Sequence, residues 1–477
     1  MIKNLDLELD KNKLILPKKL EKDISFKKNI EIFLVKKMNL LKDEVSQLIK
    51  KLAIPASVGT LFQTLYTLVD TFYAVKISPE ALSALSKSFP IYFLIIATSI
   101  GVTVAGTSLI GSSIGEKNEK NVLGYFTNII LYSVIISIIV SMIGFSFSEK
   151  LFLIMNSSRE VITLGLEYTN VIFYGTILFI LVVALNSFLH AEGDTVTYRN
   201  ALILSFFLNI LLNPIFIFGF LFIPAFGVAG IGYATLIAQF LSLIIVLIKL
   251  LKNKRIKEIA FQNFKIKFFY IKNIFFQSMP ITIAILGYSI AATIVFTYVA
   301  FTGEYAVAGY GAATRIEQVV LLPILGINTA IISIIAQNIG AKYYDRVKQS
   351  YFTSVKYGLI IMLASGVLVF ATADLMPKFF SSNSEVIEYG SMYLKISAFI
   401  LPAYPIFFLS NGFFMALKKS EKAMINNILR NVLVPFLSYY IARSIGADFK
   451  TFFYIWAILQ WLISILLFFY VKYYINN

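Results

Sequence analysis

Residues 52–75 read LAIPASVGTLFQTLYTLVDTFYAV, and residues 277–300 read QSMPITIAILGYSIAATIVFTYVA. Each stretch is 24 residues long and mostly apolar. As a helix rising 1.5 Å per residue, each is roughly 36 Å long and can cross a hydrocarbon core of about 30 Å. Placed one above the other at a shift of 225 residues, they match Pro55 with Pro280, Leu61 with Leu286 and Tyr73 with Tyr298. An apolar span that recurs at a fixed offset decides the architecture: a membrane protein built from an internal repeat.

The shift holds without gaps over some sixty residues. Gly101 meets Gly326, Ala105 meets Ala330, and Ile114, Gly115 and Lys117 meet Ile339, Gly340 and Lys342. Further on it pairs Asn186 with Asn411 and Ala191 with Ala416. It then becomes 221, pairing Pro214 with Pro435 and Gln239 with Gln460, so the second half lacks about four residues between these points.

Apolar runs of membrane length fall near 52–75, 88–114, 123–147, 166–189, 199–221, 228–250, 273–301, 312–339, 351–373, 389–416, 427–445 and 451–474. They are numbered helices 1–12 in chain order. Backbone groups in lipid must pair within their own segment, so the runs are helices, and they are too long for barrel strands. The fold class is all-α integral membrane, with twelve transmembrane helices as two six-helix bundles. Six is even, so the halves share one orientation, as in transporters whose bundles rock around a central site. The expected organisation is a basic N-terminal segment 1–50, bundles 51–250 and 273–475, and a cytoplasmic linker 251–272.

Of the 477 residues, 58% are hydrophobic and 14% charged, and the mean hydropathy is +0.79. The net charge of +16 would suggest nucleic acid on a soluble protein. Here topology explains most of it. Alternate loops carry Lys117, Lys120, Arg199, the stretch from Lys249 to Lys272, Lys342, Arg346, Lys348, Lys418, Lys419 and Lys422. The positive-inside rule puts these loops and both termini in the cytoplasm, without a nucleic-acid partner. Residues 1–50 show no cleavable signal pattern. Over 20–50 the positions Phe26, Ile30, Phe33, Leu34, Leu41, Val45 and Leu48 can share a helical face lying on the anionic leaflet, or the stretch is a solvated tail. The absence of cysteine excludes disulfides and thiolate metal sites, and one histidine, His190, excludes a multi-histidine metal site. His190 reads as part of a polar turn, and Arg159 and Glu304 as outer-loop residues.

Ionisable groups at membrane depth are functional candidates. Asp70 lies near the outer end of helix 1, roughly 28 Å above Lys51. An outer-interface aspartate serving only solubility is the other reading. Asn209 and Asn213 are four apart and share a face of helix 5. They either bind or simply join helices. Pro214 leaves a carbonyl one turn earlier without its helical partner. Thr235 on helix 6 offers a hydroxyl, which its own helix can also absorb. Helix rise places Asn209, Asn213 and Thr235 roughly 15, 21 and 18 Å above the inner face, so with tilt all four residues can share one layer. Their hard oxygens suit a proton or small cation. The repeat aligns the four with Val295, Arg430, Val434 and Trp456, so the layer belongs to one half only. Arg315 and Glu317, two apart on helix 8, do not face each other. They are gating candidates or a structural ion pair with other helices. No phosphate loop and no nucleophile–base or metal constellation is present, so neither ATP drive nor an enzyme is indicated.

The motifs Ile54-Pro55, Leu68-Val69-Asp70-Thr71-Phe72, Ala191-Glu192-Gly193-Asp194-Thr195, Asn213-Pro214-Ile215-Phe216-Ile217, Gly227-Val228-Ala229-Gly230 and Arg315-Ile316-Glu317-Gln318 stand in order over residues 50–475. Together they resemble the multidrug and toxic compound extrusion (MATE) family, most closely its DinF-like prokaryotic branch. The resemblance implies a monomeric antiporter of the bacterial inner membrane, in contact with membrane lipids. It would export small amphipathic, often cationic compounds against inward H+ or Na+, with no other cofactor. It also implies an N-lobe cation site of an aspartate on helix 1, an Asn and an Asp four apart on helix 5, and a Thr on helix 6. Asp70, Asn209 and Thr235 match. Asn213 stands where the family has its second aspartate, which shifts the expectation toward a proton or a weaker sodium site. No acidic residue of helices 7 or 10 matches the C-lobe cation site of the other bacterial branch. The alternative function is a flippase for lipids or lipid-linked saccharides, which would line its cleft with charged groups.

Overall fold

The computed structural model describes residues 8–10, 13–15, 38–260 and 266–476. Residues 1–39 and 40–477 form two separate units. In the first, Glu8–Asp10 and Lys13–Ile15 pair as a short antiparallel hairpin. The lipid-lying helix expected over 20–50 falls largely outside the described residues. Its described end behaves otherwise: Val45 and Leu48 are buried and open the long first helix instead of lying on a leaflet.

The second unit is helical, and its helices repeat at the offset read from the sequence. Helix 1 is Val45–Ile77 and helix 7 is Phe268–Ala300. Helix 2 is Pro79–Gly115, and helix 8 comprises Glu304–Val320 and Leu322–Gly340, continued across Leu321 by backbone hydrogen bonding. Helix 3 is Glu119–Ile154 and helix 9 is Tyr344–Thr372. Helix 4 (Arg159–Tyr174 and Thr176–Ala191) and helix 10 (Ser384–Ile400 and Ala403–Ala416) are each broken near the middle, bending by 41° and 54°. Helix 5 is Val196–Phe218, and helix 11 runs without a gap through Ser420–Ile428, a π-helical turn Leu429–Leu433 and Val434–Ser444. Helix 6 is Val228–Leu251 and helix 12 is Phe449–Asn476. A short helix, Lys254–Ala260, follows helix 6.

Local sequence explains the ends. Ser158 and Asn383, 225 apart, cap helices 4 and 10 by accepting backbone N–H groups of Val161, and of Glu385 and Val386. Lys117 and Lys342, another equivalent pair, take the left-handed conformation (φ 55° and 61°) that ends helices 2 and 8. The missing residues of the second half are also located. Helix 5 starts 18 residues before Pro214, whereas helix 11 starts 15 before Pro435, and the preceding turn is one residue shorter. Arg159 and Glu304 are exposed first residues of helices 4 and 8, not loop residues. His190 is likewise no loop residue. It lies in the last turn of helix 4, 7% exposed, with a ring nitrogen 3.1 Å from the Asn186 amide nitrogen.

Helices 2 and 8 are the central pair: 67% and 72% of their apolar windows are buried, against 28% for helices 1, 7 and 9. Helix 1 packs on helix 8, and helix 7 on helix 2, in reciprocal fashion. Near their C-terminal ends helices 2 and 8 cross closely: a Cβ added to Gly115 would meet the Gln337 carbonyl, and one added to Gly340 the Ser112 carbonyl. Both contacts are related by the same 225-residue shift, and only glycine permits them. Large apolar side chains such as Ile154, Leu211 and Leu462 remain exposed on outer faces, as lipid contact requires.

Candidate functional site

Helices 1, 5 and 6 bring the four candidate residues into direct contact. Asp70, Asn209, Asn213 and Thr235 are all buried, Asn209 and Asn213 completely. The Asn213 amide donates to Asp70 Oδ1 at 3.2 Å and the Thr235 hydroxyl to Asp70 Oδ2 at 3.2 Å. The Asn209 amide donates to Thr235 Oγ1 at 3.3 Å, and Asn213 Nδ2 also reaches Asn209 Oδ1 at 3.1 Å. Asp70 is therefore not an interface aspartate. Each of its oxygens accepts a bond from a different helix, and at 7% exposure the carboxyl is buried among them.

Within this layer Asn213 Oδ1 is a buried acceptor with no donor among the described residues. Four oxygen-bearing side chains with one carboxylate and one unused acceptor can take a proton or a small hard cation, and offer nothing to a soft metal. The carbonyl freed by Pro214 is that of Ile210, and it is not open to a ligand: Tyr73 Oη donates to it at 3.3 Å. Below the layer Phe62, Tyr66, Phe206 and Phe207 form an aromatic wall, with Phe62 and Phe206 centroids 5.3 Å apart.

The second pair of candidates does not come together. Glu317 is 7% exposed and accepts hydroxyl bonds from Tyr393 at 2.5 Å and Tyr404 at 2.6 Å, both on helix 10. Arg315 points away on the exposed side, with no ion pair among the described residues. Sequence spacing could not reveal the tyrosines, which lie 76 and 87 residues away. Arg430, the repeat equivalent of Asn209, has a setting that the alignment did not show: the guanidinium lies 4.5 Å from the Tyr404 ring centre and 4.3 Å from that of Phe407.

At the basic loops, Asp194 joins Lys249 at 3.2 Å, and Arg255 bridges Glu119 at 3.0 Å and Glu192 at 3.1 Å. Burial alone would raise the Asp194 pKa. The Thr197 backbone and hydroxyl, with Lys249, outweigh it and hold the carboxyl below the usual aspartate range.

The MatE family model matches the chain twice, over residues 55–215 and 280–440, again 225 apart. A FAD transporter of Shewanella oneidensis is 25% identical over 75% of this chain and 79% of its own length. A probable multidrug resistance protein, NorM of Thermotoga maritima, is 24% identical over 85% of this chain and 86% of its own. Among solved structures, a MOP superfamily transporter from Pyrococcus furiosus, described by the reverse polarity of its binding pocket, is 26% identical. It superposes with a TM-score of 0.86 over 93% of this chain and 98% of that one. An outward-facing multidrug resistance MATE transporter gives the same TM-score, identity and coverage. With two matches that together span well over half its length, the chain belongs to the MatE family and is a membrane transporter, not an enzyme.

Proposed function

We propose that this transporter is a cation-coupled antiporter that exports amphipathic compounds by alternating access. In this reading residues 51–250 and 273–475 are the two moving lobes. The stretch 251–272 links them in the cytoplasm, and both termini lie inside a bacterial inner membrane. The protein works as a monomer among lipids, with H+ or Na+ as its only cofactor-like requirement. The observation that carries the reading is the buried Asp70–Asn213–Asn209–Thr235 layer, present in one half and replaced in the other by Val295, Val434, Arg430 and Trp456.

The proposed cycle follows from charge. A buried carboxylate facing outside takes up a proton or cation, which removes an uncompensated charge from low dielectric. The neutralised Asp70 no longer needs both donors, so Asn213 and Thr235 re-pair, and helices 1, 5 and 6 close on the aromatic wall and expel cargo. The ion then leaves inward. Relatives described as multidrug exporters support this cargo class, and the FAD transporter extends it to larger aromatic compounds. The test is ethidium accumulation in an efflux-deficient bacterium expressing the wild type or Asp70→Asn, with and without a proton uncoupler. The expected result is lowered accumulation that needs both Asp70 and the gradient. Export unchanged by Asp70→Asn would overturn the reading.

A further inference from the structure

The second half answers the acidic layer of the first with groups of the opposite kind. Arg430 stands where the first half has Asn209, each five residues before its proline. It is 3% exposed, sits in the π-helical turn of helix 11, and makes no ion pair among the described residues. Among the described residues its Nε is buried without a partner, and so is the indole Nε1 of Trp456, which occupies the position of Thr235. Both are donor-only groups. In the first half Asn213 Oδ1, an acceptor, is left over in the Asp70 layer. The carboxylate that shares Tyr404 with Arg430 is that of Glu317, and its two oxygens are already held by Tyr393 and Tyr404. Around the guanidinium stand the faces of Tyr404, Phe407 and Phe408, the last 5.8 Å from its ring centre.

A buried guanidinium without a counter-charge is costly, and its planar fork fits a carboxylate or phosphate. Aromatic walls add affinity for a flat apolar body. We propose that Arg430, with Tyr404 and Phe407, forms a subsite in the C-terminal half for the anionic group of an aromatic amphipathic cargo. This rests on the transporter reading above and specifies its substrate: aromatic organic anions or zwitterions, beside the cations expected from the family.

The test is direct binding of two dyes to the purified full-length protein, followed by fluorescence anisotropy. Fluorescein and rhodamine 123 share a xanthene skeleton and differ in the sign of their charge. Arg430→Gln is expected to weaken fluorescein binding at least tenfold and change rhodamine 123 binding less than threefold, with Arg430→Lys falling between for fluorescein. Failure of the wild type to bind fluorescein, or an equal loss of both dyes in Arg430→Gln, would overturn the proposal. So would phosphatidylglycerol in the surrounding lipid disc displacing fluorescein from the wild type, since the site would then belong to a lipid phosphate. Binding is read without any gradient, so these outcomes leave the Asp70-coupled export reading, tested in cells, to stand or fall separately.

Discussion

Asp70 carries the only charge in a layer of four oxygen-bearing side chains, so in the proposed cycle its neighbours set which ion the layer takes. Both carboxylate oxygens accept bonds, yet the partners are an amide and a hydroxyl, not cations. A single carboxylate needs only a proton to become neutral. A second carboxylate at 213 would add an anionic oxygen ligand and strengthen the layer for a hard metal cation. Asn213→Asp is therefore expected to raise the sodium dependence of export: the ratio of ethidium efflux in sodium medium to that in a potassium control should be severalfold larger for the variant than for the wild type. Equal efflux of the variant in both media would contradict the role given to position 213. The individual residues of this layer were legible from sequence because polar groups stand out in an apolar chain and helix rise gives their depth. Their bonds were not, since register between helices 1, 5 and 6 depends on packing contacts 26 to 165 residues apart. Glu317 shows the same limit: its charge was visible, and the tyrosine hydroxyls that hold it were not.

At the scale of elements, the helix junctions show how local chemistry fixes the site's frame. The turn between helices 4 and 5 is held by Asp194, which accepts from the Thr197 backbone at 2.9 Å and pairs with Lys249 of helix 6. Asp194→Ala removes a helix cap and an ion pair and is expected to cost about 1–2 kcal/mol near neutral pH. The folded contacts favour the ionised form. The stabilisation is thus present above about pH 4, where the unfolded aspartate ionises, and fades as pH falls through the lower folded value. Thermal unfolding of the purified wild type and variant from pH 7 to pH 3 should show the two curves converging on acidification; a constant gap would contradict the assignment. The order of the helices was legible because apolar runs of membrane length have few readings, but helices 1, 2, 4, 8, 9 and 11 begin seven to nine residues before their apolar runs, in polar first turns that hydropathy does not mark. The bends were not: helix 4 breaks at Gly175 and helix 10 at Leu401-Pro402, equivalent places marked by different residue types. The π-helical turn around Arg430 left no sequence signal at all.

Across the whole molecule, two copies of one six-helix plan meet along helices 2 and 8, and in the proposed cycle opening to one side must part this seam. A Cβ at Gly111 would stand 3.0 Å from that of Ala336, its own equivalent in the repeat. The chain has no cysteine, so Gly111→Cys with Ala336→Cys gives a lone pair near disulfide reach after a small relaxation. Oxidation is expected to abolish export and reduction to restore it, read as ethidium efflux. Full efflux by the oxidised, verified cross-link would show that the seam stays closed during transport. The repeat itself was legible because prolines and glycines recur at one offset, while the unpartnered donors of Arg430 and Trp456 emerge only once buried polar atoms are located. The central claim is that ion movement through the Asp70 layer drives cargo out. It is tested most directly in proteoliposomes holding purified wild type or Asp70→Asn, with ethidium movement followed under an imposed proton or sodium gradient. The account predicts gradient-dependent movement by the wild type and at least a tenfold loss in Asp70→Asn with the fold intact; movement by Asp70→Asn at the wild-type rate would contradict it.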